Sequence, residues 1–152
     1  MGNDSAEGTV WGELKGQLRG LALRDGVELF GVADLHPAQG FVVQQGGAFL
    51  ARFPRALSLG APVPAAAVQE LADLENRGAA VTYHYLIYEI VNRQLNARAL
   101  AVAARLQAAG AAAYVVPASQ LVDKERLAGL ISQKLAAHLA GHGFIGKSCL
   151  LV

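Results

Sequence analysis

One long amphipathic pattern limits the folds that are open to this chain. Between about residues 82 and 109, apolar side chains recur every three to five positions, and charged residues lie largely between them. At about 1.5 Å per residue, a helix over this range extends roughly 40 Å, which is enough to cross a domain of 152 residues. Gly110 is placed to end it. The remaining elements are therefore expected to pack along this helix.

Shorter patterns on both sides alternate between helix and strand. Such alternation favours an α/β (or α+β) sandwich, in which a small mixed sheet is flanked by helices. Residues 1–8 are polar and acidic, so we predict a disordered tail followed by a single domain over 9–152, with 38–53 as a partly ordered loop that contains one helical turn. The predicted helices are 9–24, 65–72, 82–109 and 128–140, and the predicted strands are 27–34, 54–60, 111–116 and 148–152.

Composition excludes several classes of protein. No apolar run reaches the ~18 residues that span a bilayer, and the N-terminus is not a signal peptide, so we expect a cytoplasmic protein without a membrane partner. The single cysteine, Cys149, allows no internal disulfide and no cysteine metal site, and it is expected to be a buried thiol. A net charge of +1 gives no overall basic field for nucleic acid.

The most informative segment follows the last predicted helix and contains three glycines. Gly141, Gly143 and Gly146 permit positive φ angles and close backbone approach, and Lys147 and Ser148 follow directly. The Gly-x4-Gly-Lys-Ser spacing satisfies the P-loop pattern, but a P-loop follows a strand and opens a helix, whereas here a helix precedes and a strand follows. Two interpretations stay open, namely a loop that binds an anion or cofactor and a helix C-cap with a tight turn.

Several other polar and aromatic side chains are candidates for a site. Three aromatic residues near the start of the long helix could donate protons, or could simply be packed at a helix start. Four polar residues near the ends of predicted elements could contact a cofactor, or could be solvated surface. No metal site is predicted, since two histidines four residues apart near the chain end lack a third ligand. The aromatic candidates are Tyr83, His84 and Tyr88, and the polar candidates are Ser119, Gln120, Ser132 and Gln133.

The glycine segment also carries a family resemblance. Residues 141–152, Gly-His-Gly-Phe-Ile-Gly-Lys-Ser-Cys-Leu-Leu-Val, resemble the Gly-Leu-Gly-Trp-Ile-Gly-Lys-Asn-x-Leu-Leu-Ile segment of epoxyqueuosine reductases and related iron–sulfur proteins. Weaker similarities lie at 56–64, 88–95 and 116–120, and the resemblance extends over most of 27–152. The glycine segment is its most specific part.

The resemblance implies a nitroreductase-like domain that helps to bind cobalamin. In the family, a ferredoxin-like module with two 4Fe–4S clusters follows this domain and supplies electrons for the reduction of epoxyqueuosine in tRNA. One cysteine cannot ligate such a cluster, so the clusters are expected in a downstream module or a partner, and the chain is expected to be the amino-terminal part of a longer protein. The implied cofactor contacts are Gly143, Phe144, Ile145, Gly146, Lys147 and Ser148, together with the four polar candidates, and the implied proton donors are the three aromatic ones.

The chain departs from the family pattern at one informative place. The tRNA-modifying members carry Asp-Tyr-His near the start of the long helix, whereas residues 83–85 here are Tyr-His-Tyr. The substrate is therefore either epoxyqueuosine or a related compound. A non-catalytic binding or interaction module, and a flavin- or nucleotide-binding domain of the same architecture, remain alternatives.

Overall fold

The long helix forms as its pattern predicts and begins earlier, at Arg77. The computed structural model describes residues 4–73 and 75–152. The helix runs without a break through α4, a π-helical segment and α5. The side chain of Asn76 accepts a hydrogen bond from the amide of Ala79 (3.0 Å) at its start, and Gly110 adopts φ +84° at its end. The helices are α1 (Asp4–Ala22), α2 (Gln39–Gly46), α3 (Ala65–Gln69), α4 (Arg77–Tyr85), the π-helical segment (Leu86–Val91), α5 (Asn92–Ala108) and α6 (Gln133–Leu139).

The main core lies where α1 packs against α5. Residues on one face of α1 are buried with Phe30 and Val102, and spacings of four place them on that face. The Arg105 guanidinium donates to the Gln17 side-chain carbonyl (2.7 and 3.0 Å), and Arg98 pairs with Asp25 (2.6 Å). The partners of these two arginines lie in reverse order, so α1 and α5 are antiparallel. The buried core residues are Leu14, Leu18, Ala22, Phe30 and Val102.

The sheet has two antiparallel strands, β1 (Leu29–Asp34) and β2 (Arg55–Gly60), which confirms the first two predicted strands. Their register runs from Leu29 opposite Gly60 to Asp34 opposite Arg55. The predicted strand at 111–116 is wrong, because this segment forms no ladder. The strand at 148–152 is also wrong, because only an isolated bridge forms there. The fold is thus mixed α and β, as expected, but the sheet is antiparallel and smaller than the predicted mixed sheet.

Three further boundaries differ from the sequence predictions. Residues 38–53, expected to be a partly ordered loop with one helical turn, are more helical than that and fold as α2 and a 3-10 helix (Ala48–Arg52). The last helix begins only at Gln133, because the Ser132 hydroxyl caps it by accepting from the amide of Leu135 (3.3 Å). Helix α1 includes residues 4–8 of the expected tail, and residues 1–3 of that tail lie outside the described residues. Among the described residues, no helix is both long and apolar enough to cross a bilayer.

An ionic cluster closes the end of the two-stranded sheet. The carboxylate of Asp34 accepts from the backbone amide (3.1 Å) and the imidazole (2.8 Å) of His36, and it pairs with Arg55 (2.5 Å). These contacts, with the His36 amide first, lower the pKa of Asp34 from 3.8 to about 2. The cluster therefore joins the last residue of β1 to the first residue of β2.

The core assignment predicts a large difference between two leucines. Leu18 is 5% exposed in the core, whereas Leu100 on α5 is 64% exposed. We expect Leu18→Ala to lower the free energy of unfolding by about 2–5 kcal/mol, and the matched Leu100→Ala to change it by less than about 0.5 kcal/mol. Urea unfolding followed by circular dichroism measures both, and equal losses would contradict the proposed core.

The Asp34 cluster predicts a specific dependence of stability on pH. Because the pKa of Asp34 is lower in the folded chain, its ionised form stabilises the fold above about pH 4, and this stabilisation disappears as the pH falls towards 2. We expect Asp34→Asn to be less stable than the unchanged protein at pH 6, with a gap that narrows by pH 2.5. Urea midpoints at both pH values measure the gap, and a gap of constant size would contradict this assignment.

Candidate functional site

A mostly apolar cleft of about 460 Å³ lies between β2, α5, α6 and the extended segment 112–116. Alanine, valine and leucine side chains form most of its walls. Its few polar residues include Asn96 on α5 and Gln133 and Lys134 on α6. A concave apolar site with a few polar groups at its edge is the usual form of a small-molecule site.

Three carboxamide side chains hold the turn that follows segment 112–116. Asn92 donates to the hydroxyl of Ser119 (3.1 Å), and Asn96 accepts from the backbone amide of the preceding residue (2.8 Å). Gln133 donates to the carbonyl of Pro117 (3.2 Å). Ser119 has φ +58°, which is uncommon for a residue with a Cβ. The turn is therefore tied to both helices that line the cleft.

The first glycine of the C-terminal segment ends α6. Gly141 has φ +81°, and its amide donates to the carbonyl of His138 (2.9 Å). The amide of His142 donates to the carbonyl of Ala137 (3.0 Å), which completes a Schellman motif. Of the two interpretations of this segment, the helix C-cap accounts for Gly141 by itself.

The rest of the segment forms a short hairpin. Phe144 and Val152 exchange two backbone hydrogen bonds (2.8 and 2.9 Å). The amide of Gly146 donates to Leu150 (2.9 Å), and the amide of Cys149 donates back to Gly146 (3.0 Å). Cys149 has φ +60°, so the connection is that of a type I turn followed by a left-handed residue.

The hairpin accounts for Gly143 and leaves some backbone donors free. A Cβ on Gly143 would collide with the backbone of Val152, so a glycine is needed there for chain packing alone. The amides of Ile145, Lys147 and Ser148 make no hydrogen bond within the described part of the chain. Lys147 and Ser148 in the turn, and Ile145 just before it, are the residues whose amides are available to a ligand.

Helix α6 connects the hairpin to the cleft. Lys134 donates from its ammonium group to the carbonyl of Cys149 (2.6 Å). One turn later, His138 Nδ1 donates to the carbonyl of Gly143 (2.8 Å). Gln133 and Lys134 thus lie between the Pro117 turn and the hairpin turn, and these two polar regions form one rim beside the cleft.

The aromatic candidates lie apart from this rim. The rings of His84 and Tyr88 stack with centroids 4.4 Å apart, and Tyr83 is half-buried on the same helix. None of the three lines the cleft, whose first residue from this helix is Leu95. At 1.5 Å per residue, Tyr88 precedes Leu95 by roughly 10 Å along the axis. The nearest predicted proton donor is therefore about two helical turns from the cleft. Ser119, a predicted cofactor contact, lies closer, because it is bonded to Asn92 one turn after Tyr88.

The remaining candidates have mixed surroundings, and two useful residues escaped the sequence analysis. Gln120 is exposed and Ser132 serves as the cap of α6. Cys149 is exposed rather than buried, because it occupies a hairpin turn and not a strand. Within residues 4–73 and 75–152, no cluster of three or more His, Cys, Asp or Glu could hold a metal ion. The missed residues are Asn92 and Asn96, and the spacing of four between them was the signal that could have indicated a shared helix face.

The turn conformation predicts that glycine at position 149 gives a more stable fold than the native cysteine. A Cβ at φ +60° is strained by about 1 kcal/mol, and glycine removes this strain. We expect Cys149→Gly to raise the free energy of unfolding by about 1 kcal/mol relative to Cys149→Ala, which removes the thiol but keeps the Cβ. Urea unfolding compares the two variants, and equal stabilities would contradict the left-handed conformation.

No family model, no curated protein and no solved structure matches the chain.

Proposed function

We propose that this chain is the cobalamin-binding domain of an epoxyqueuosine reductase-like iron–sulfur oxidoreductase, with a nitroreductase-like fold. The observation that carries the proposal is the hairpin turn at 147–149, which has unpaired backbone amides beside an apolar cleft. The sequence resemblance of 141–152 to that family supports it independently.

The residues on the rim fit the chemistry of a corrinoid. Such a cofactor has a broad apolar ring edged with amide groups and carries a phosphate on its nucleotide tail. The amides of Ile145, Lys147 and Ser148 are suited to the phosphate or amide oxygens, and Gln133 and Ser119 are suited to the amide edge. The cofactor is much larger than the cleft of about 460 Å³, so it would lie across the rim rather than inside.

The protein groups then have four tasks. Bound cobalamin would supply the low-potential electron transfer, and the chain would bind it, orient it and limit access of water. Reduction of an epoxide to an alkene consumes two electrons and two protons and releases water. The electrons would come from a ferredoxin-like module in cis or in trans. The stacked pair of His84 and Tyr88 would supply the protons to the substrate, in tRNA or a related compound, which would reach along the helix from the rim.

Absorbance titration with cob(II)alamin tests the proposal, and two substitutions at one position make it specific. Lys147 is the second residue of the turn, where proline is favoured, and its amide is unpaired, so Lys147→Pro deletes one donor without breaking a hairpin bond. Lys147→Ala removes only the charged side chain. We expect a saturable spectral change with the unchanged protein, and a roughly tenfold weaker affinity for the proline variant than for the alanine variant.

Two results would contradict the proposal. One is the absence of any spectral change with cob(II)alamin at concentrations up to about 1 mM, where a binding free energy of only about −4 kcal/mol would already give half saturation. The other is equal affinity in the proline and alanine variants, which would mean that the turn amides do not contact the cofactor. Tight binding of flavin mononucleotide in a parallel titration would favour the flavin alternative.

A further inference from the structure

The shape of the cleft shows that it follows the edges of two extended segments. It is lined by five consecutive residues of β2, 55–59, and by five consecutive residues of the other segment, 112–116. In an extended chain, successive side chains point to opposite faces. A cavity above one face would contact only every second residue. This cavity contacts every residue of both segments, so it lies between their edges, and we call this part of the cleft the slot.

The backbone on the β2 side of this slot has free hydrogen-bonding groups. The amide of Leu35 donates to the carbonyl of Pro54 (2.9 Å), so these two residues are a hydrogen-bonded pair. In an antiparallel ladder, every second residue forms such a pair. Ala56 therefore bonds to β1, whereas Leu57 and Leu59 direct their amides and carbonyls away from it. Neither Leu57 nor Leu59 forms a backbone bond to any other described element.

The opposite wall is also unpaired. Residues 112–116 make no backbone hydrogen bond with any described residue, although the turn after them is held firmly by side chains. Ala113, Val115 and Val116 are only partly exposed. Partly buried backbone groups without hydrogen-bond partners raise the free energy of the folded chain. The two sides of the slot therefore resemble two strand edges that lack a strand between them.

The slot is covered on both faces. Leu57 and Leu59 pack towards the α1–α5 core on one face of β2. On the other face, a Cβ on Gly31 would lie 2.8 Å from Ala140, so the end of α6 is in direct contact with the sheet. A strand in the slot would be buried on both faces, and such strands are continuous apolar runs.

We propose that this slot binds an extended apolar strand of about five residues from a partner polypeptide, which pairs with β2 on one side and with 112–116 on the other. This inference does not depend on cobalamin binding.

A labelled peptide tests the proposal directly. The probe is an acetylated Glu-Glu-Val-Leu-Val-Ala-Val-Glu-Glu amide, whose acidic ends suit Arg55 and Lys134 at the slot and keep it soluble. We expect saturable binding by fluorescence anisotropy, with slower hydrogen exchange at Leu57, Leu59 and residues 112–116. The same peptide with N-methyl groups on alternate apolar residues cannot pair, and we expect it to bind at least roughly tenfold more weakly.

Two variants of the protein examine the 112–116 wall. Successive amides of an extended segment point in opposite directions, so of Tyr114→Pro and Val115→Pro only one removes a donor that faces the slot. We expect one of them to weaken peptide binding roughly tenfold and the other to have a smaller effect, with Val115→Thr as a control that keeps the amide.

Three outcomes would overturn the proposal. Equal binding of the N-methylated peptide would show that the slot does not pair with a backbone. Hydrogen-exchange protection confined to other parts of the chain would place the peptide elsewhere. A concentration-dependent dimer in sedimentation that already protects 112–116 without peptide would assign the slot to a second copy of the chain.

Discussion

The candidate site depends on a close contact between a glycine in β1 and the end of α6. A Cβ on Gly31 would lie 2.8 Å from both the Cβ and the carbonyl oxygen of Ala140, and 3.0 Å from the ring of His142. Because Gly31 has no side chain, α6 can lie directly on the sheet. From that position Gln133, Lys134 and His138 reach the turn and the hairpin. The geometry of the rim therefore depends on Gly31, because a side chain at this position of β1 would push α6 away from the sheet.

The same contact explains how so small a sheet can persist. Two strands alone are marginally stable in water, and they need packing on their faces. Here α1 and α5 cover one face through Phe30, and α6 covers the other. No described strand pairs with the outer side of β2, and the apolar cleft lies there.

The sequence predicts best where local rules decide the structure. The long helix, β1 and β2 follow from periodicity and from glycine and proline positions, and Gly141 behaves as an ordinary helix cap. The strand expected at 111–116 fails because a strand exists only when a neighbouring edge pairs with it, and β-propensity contains no such information. The carboxamides on α5 were missed for a similar reason. Asn92 is buried only because a turn distant in sequence packs over it.

The slot and the rim share residues, which links the two proposals physically. Gln133 and Lys134 line the slot with part of each side chain, while their terminal nitrogens hold Pro117 and Cys149. A strand in the slot would restrict these two side chains, and through them both polar turns. A ligand that then contacts the turns would lose less conformational entropy on binding than it would with the slot empty. If both proposals hold, strand binding therefore strengthens cofactor binding, and by linkage the cofactor strengthens strand binding by the same factor.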